Sequence, residues 1–142
     1  MDYIEREAPE KPKIPHYYGD TVRKLFIVGG ILMLVTLPIF YEDIPIPFIV
    51  SVFAILVVAL LAGLTNPRQA WVSVLDLIVS VLAFIMLEYV AIFAGAYDGV
   101  SQSGFFLTTQ ALAIIFFIAV YYSAKTLRGM YRRDAASQTS EQ

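Results

Sequence analysis

The sequence predicts an all-α membrane protein, a four-helix transmembrane bundle with both termini cytoplasmic. Residues 25–41, 46–64, 70–94 and 105–123 are long apolar stretches. Each nears or exceeds the roughly 20 residues that cross about 30 Å of hydrocarbon at 1.5 Å per residue. None shows the polar face that a helix in a soluble core needs. The third observation is the charge pattern. All ten Lys and Arg fall on one side: Arg6, Lys11, Lys13, Arg23 and Lys24 before the first stretch, Arg68 after the second, and Lys125, Arg128, Arg132 and Arg133 after the fourth. The other two links, "YEDIP" and "GAYDGVSQSG", hold only the acidic Glu42, Asp43 and Asp98. The positive-inside rule therefore puts both ends in the cytoplasm. With 58% hydrophobic residues, 15% charged and a mean hydropathy of +0.70, the composition suits a bilayer, and a multi-pass protein of the prokaryotic cytoplasmic membrane is the expected location.

Residues 1–20 read as a flexible cytoplasmic segment, because charge and three prolines deny it a continuous helix. Tyr17 and Tyr18 sit where interfacial aromatics belong. The transmembrane domain follows over residues 21–123. Its first helix spans about 22–41, with Asp20 or Thr21 as the cap. Gly29 and Gly30 allow a neighbouring backbone close approach, and Pro38 kinks or ends the helix. The short "YEDIP" link makes the next helix, about 46–64, antiparallel to the first, with Pro45 and Pro47 at its start. Gly63 suits its C-terminal cap, and Asn66 with Pro67 suits the start of a third helix over about 67–94. Trp71 then lies at the inner interface. A Gly-rich external turn leads to the fourth helix, about 105–123, and residues 124–142 read as a basic, then polar, disordered cytoplasmic tail. The likeness of "FIVSVFAILV" to "LIVSVLAFIM" is a coincidence of a restricted alphabet, since the two lie on helices of opposite direction.

Two ionisable residues fall at membrane depth, Asp76 and Glu88, both on the third helix. Twelve residues of spacing separates them by about 18 Å along the axis and about 120° around it, so they do not form a catalytic pair. Asp76 belongs to a stripe of small and polar residues, Gln69, Ser73, Asp76, Ser80, Ala83, Leu87, Ala91 and Ala94, which reads as the packing face. Ile78, Ile85 and Ile92 then point to lipid. An inner polar site of Asp76, Ser73, Ser80 and Tyr121 is expected, with Lys24, Lys125 or the Tyr121 hydroxyl as partners for the carboxylate. At the depth of Glu88 each other helix also offers polarity, through Thr36, Ser51, and Thr109 with Gln110. These define a candidate intramembrane polar layer of Glu88, Gln110, Thr109, Ser51 and Thr36, in which Glu88 and Gln110 can exchange hydrogen bonds. An intramembrane carboxyl carries a functional hypothesis by default, here a proton or cation path. The competing reading is a polar clamp between the third and fourth helices.

Chemistry by the chain itself is not indicated. There is no cysteine, and the single histidine, His16, lies in the proline-rich segment. No nucleophile elbow, Walker sequence or zinc-protease motif is present, and each tail falls below the roughly 40 residues needed to fold alone. No cofactor or metal is expected. No basic block is dense enough for nucleic acid, although Arg128, Arg132 and Arg133 are placed to attract anionic lipid. The expected partners are the lipid bilayer and either a second copy of the chain or other membrane subunits. Two classes of function fit. One is a non-catalytic membrane component (subunit, scaffold or accessory factor) acting through helix contacts. The alternative is a small oligomeric proton or cation channel or transporter using Glu88.

Overall fold

The computed structural model describes residues 17–64, 69–97 and 103–139. They form α1 (Gly19–Ile39), α2 (Phe48–Leu64), α3 (Ala70–Tyr97) and α4 (Ser103–Thr139), with no strand among the described residues. Three of these helices are long and apolar enough to cross a membrane, over Gly19–Ile39, Ala70–Ala96 and Gly104–Arg132. The chain is therefore a helical membrane-spanning protein. The fourth apolar helix, α2, has 17 residues, a length of about 26 Å at the helical rise.

Packing follows chain order around a ring. α3 and α4 make the most extensive contact, α1 packs on both α2 and α4, and α2 touches α3 only lightly. Contacts along the helices establish antiparallel neighbours. At one end Val22 and Phe26 of α1 cluster with Leu61 and Ala62 of α2, and with Phe116 and Ala119 of α4. At the other end the rings of Phe40 and Phe105 meet at 5.4 Å. Phe26 and Phe116 are fully buried with ring centroids 6.0 Å apart, and the Phe116 ring fills the space that Gly29 leaves open. A Cβ on Gly29 would stand 3.1 Å from the Phe116 ring, whereas one on Gly30 would meet only a Val58 methyl at 3.5 Å.

Several boundaries differ from the sequence reading, each for a local reason. α1 begins at Gly19, with Tyr18 as its N-cap and no side-chain capping bond; Asp20 sits in the first turn instead, where its charge favours the helix dipole. The start is held by tertiary contact. The Tyr18 N–H donates to Thr126 Oγ1 at 3.1 Å, and its ring lies 5.3 Å from that of Tyr122. A Cβ on Gly19 would occupy the space of the Tyr17 phenol. Pro38 lies inside α1, one residue before its end. The Pro47 carbonyl accepts from Val50 and Ser51, which starts α2 at Phe48. Gly63 is within α2, and the predicted cap at Asn66–Pro67 falls outside the described residues. The largest difference is α4. It does not end at residue 123 but continues to Thr139, because "SAKTLRGMYRR" holds no proline and is rich in helix formers. Ser123, Thr126 and Met130 also extend its buried row.

These contacts set an asymmetry between adjacent glycines. Gly29→Val should destabilise the bundle by about 1–3 kcal/mol, as overpacking does. Gly30→Ala should be neutral or stabilise by up to about 1 kcal/mol through helix propensity. Thermal unfolding in detergent checks this, and equal shifts for both variants would contradict the Phe116 contact.

Candidate functional site

The buried face of α3 runs through Ser73, Asp76, Ser80, Ala91 and Ala94, with Ala83 and Leu87 partly buried and Gln69 exposed. Ile78, Ile85 and Ile92 are exposed on the other side. Since α2 touches α3 only lightly, it is α4 that covers this face. Two contacts fix the antiparallel register. Gln110 Nε2 donates to Glu88 Oε1 at 3.0 Å, and the rings of Phe84 and Phe117 lie 5.4 Å apart.

The residues of the candidate polar layer separate into two groups. Glu88 and Gln110 form their half-buried pair across the α3–α4 seam. Thr36, Ser51 and Thr109 instead line a cavity of about 280 Å³ that opens between α2 and α3, to which neither Glu88 nor Gln110 contributes. The rest of its wall is apolar, including Met33, Val58, Met86 and Phe105. Its threonines are satisfied locally. Thr36 donates to the Leu32 carbonyl at 2.6 Å and Thr109 to the Phe105 carbonyl at 2.8 Å. Hydroxyls bonded back to their own helix offer a passing ion little.

At the end of the bundle where α3 begins, the structure buries Asp76, Ser73 and Ser80 together on α3 but leaves Tyr121 exposed. Tyr121 is 58% exposed, edge-on to Tyr122. Asp76 is only 3% exposed, and its Oδ1 has no hydrogen-bond partner among the described residues. Ser80 donates to the backbone carbonyl of Asp76, not to its carboxylate. Neither expected cation reaches it. Lys24 is exposed on α1, and the Lys125 ammonium lies 4.7 Å from the Tyr18 ring. Two residues missing from the sequence reading join this level instead. Stepping twelve residues back from Glu88 and twelve on from Gln110 pairs Asp76 with Tyr122; eight from Phe84 and Phe117 pairs it with Lys125. Ser123 falls between these limits and is 1% exposed, its Oγ also without a partner among the described residues; Thr126 is buried beside it on α4. Continuing the three-and-four rhythm of Thr109, Leu112, Phe116 and Ala119 would have found both. Tyr17 closes this end. Burial raises its phenol above the ordinary value, and the carboxylates of Asp20 and Asp76 add to the rise.

Among the described residues no group of three or more His, Cys, Asp or Glu stands together as metal ligands. Comparison with protein families, with curated proteins and with solved structures finds no match to this chain.

The two carboxyls of α3 therefore differ in partnership, and leucine at each should act in opposite directions. Glu88→Leu strands the Gln110 amide and should destabilise by about 0.6–2 kcal/mol, the range of interhelical bonds in membranes; Glu88→Gln should keep the fold. Asp76→Leu removes a buried oxygen, Oδ1, that has no partner among the described residues and should stabilise by about 1–3 kcal/mol. Thermal midpoints in detergent with the same sign for both leucine variants would contradict this assignment.

Proposed function

We propose that the chain is a non-catalytic component of a membrane, working through helix–helix contacts with a second copy or with other membrane subunits. The observation that supports this reading is the apolar character of the cavity between α2 and α3, together with the internal bonding of Thr36 and Thr109 on its wall. A conducting path needs a continuous row of polar groups free to solvate an ion. Here the Glu88–Gln110 pair lies outside the cavity and acts as a clamp between α3 and α4. The α2 helix joins the other three as a spanning segment, its 17 residues extended by the apolar link at residues 44–47. Both termini then lie on one side, and the charge distribution makes that side the cytoplasm.

One observation favours the second reading, a small oligomeric proton or cation channel or transporter. Among the described residues, Asp76 and Ser123 each keep a buried oxygen without a partner. A polar group retained against its desolvation cost is a mark of function inside a membrane.

Flux from the purified protein in liposomes, across proton and alkali-cation gradients, separates the two. The component reading expects no gradient-driven flux and a functionally silent Glu88→Gln. Flux that Glu88→Gln abolishes while the protein stays folded would establish transport. For the topology, single cysteines at Ser137 and Ser101 should label from opposite faces of the membrane; labelling from the same face would reject it.

A further inference from the structure

Near the end of the apolar span of α4, which runs to Arg132, lies an open groove of about 510 Å³ between α3 and α4. Leu77, Ala124 and Leu127 line its deeper part, and Arg128, Tyr131 and Arg132 line the part nearer the chain's C-terminus. Arg128 and Arg132 are four residues apart on one helix, about 6 Å along the axis and on one face. Both are exposed, and among the described residues neither guanidinium takes part in an ion pair. Tyr131, between them in sequence, is exposed as well. The groove is thus graded, apolar toward the middle of the span and doubly cationic at its end.

We propose that this groove binds one anionic phospholipid. The charge complementarity is specific to that class of molecule. A phosphodiester between Arg128 and Arg132 would receive the forked N–H donors that guanidinium groups present to phosphate, and the Tyr131 hydroxyl supplies one further donor. The glycerol and proximal acyl carbons then lie along Leu77, Ala124 and Leu127. A free phosphate satisfies only the cationic end and a hydrocarbon only the apolar floor. A zwitterionic lipid brings a positive headgroup against two arginines. The binding is independent of whether the chain transports anything.

The test is native mass spectrometry of the full chain in detergent, titrated with phosphatidylglycerol and, separately, phosphatidylcholine. The wild type should retain phosphatidylglycerol in preference. Each of Arg128→Gln and Arg132→Gln should weaken retention about 5-fold and the double variant about 25-fold, the equivalent of about 1 kcal/mol per basic residue near a membrane surface. Ala124→Trp fills the floor, keeps both arginines and should also lower retention; it decides the matter if circular dichroism shows the double variant unfolded. Arg23→Gln, at an exposed position of α1, should change nothing. Glycerol 3-phosphate in excess should fail to displace the lipid. The proposal is overturned if the folded double variant retains the lipid like wild type, or if Arg23→Gln loses as much as the double. Displacement by glycerol 3-phosphate would overturn it too, as would a dimer of the chain that excludes the lipid from the groove.

Discussion

Small side chains recur along α3 at Ser73, Ser80, Ala91 and Ala94, where α4 covers them. In hydrocarbon this matters more than apolarity, because lipid tails are as apolar as leucine and supply no force that drives helices together. Close backbone approach supplies van der Waals contact instead. α4 answers with Ala113, Ala119 and Ser123, all fully or almost fully buried, and carries Phe116 into the gap beside Gly29 of α1. The α3–α4 pair and the α1–α4 pair thus share one helix as their common wall. The Glu88–Gln110 bond and the Phe84–Phe117 contact lock its register.

The position of α2 follows from that arrangement. It packs on α1 with Val58, Leu61 and Ala62, yet meets α3 only lightly, and the cavity lies along that seam. A void of this kind in a soluble protein loses both dispersion contacts and hydrophobic burial. In a bilayer an opening toward hydrocarbon loses much less, because apolar chains can wet it. The structure is accordingly tight on the α1–α4–α3 side and loose on the α2–α3 side, and the loose side has the fewest contacts to resist local opening.

Polar groups in the same bundle find different solutions. Thr36, Thr108 and Thr109 bond back to carbonyls of their own helices, a solution available to any β-hydroxyl on a helix. The Glu88 carboxylate has no hydroxyl to donate to its own helix carbonyls and instead accepts from the Gln110 amide across the seam. Asp76 is too short to reach out of the bundle, and the lysine nearest in sequence on α4, Lys125, is held over Tyr18 and Tyr121 instead. The Tyr17–Tyr18 segment that engages Lys125 and Thr126 also closes the end of the bundle above Asp76. N-terminal docking and the isolation of that carboxylate are parts of one arrangement.

The sequence by itself marked four helices and the order of residues along them, short of the full length of α4. Apolar runs of near-membrane length identify spanning segments because an unsatisfied backbone in hydrocarbon is so unfavourable that only helices and closed barrels survive there. The small-residue periodicity of α3 marked its buried face for a related reason. What it could not determine was rotation about each axis. Thr36, Ser51, Thr109, Glu88 and Gln110 share a depth, and depth follows from counting. Tertiary packing alone decided that Glu88 and Gln110 meet across one seam while the other three line a separate cavity. It also decided that Tyr121 faces outward and Ser123 inward. The polarity of residues 124–139 read as disorder because composition registers a helix only while it is apolar. The continuation of α4 follows from the helix formers and absent prolines of residues 123–133, and the burial of Thr126 and Met130 supports it; hydropathy registers neither.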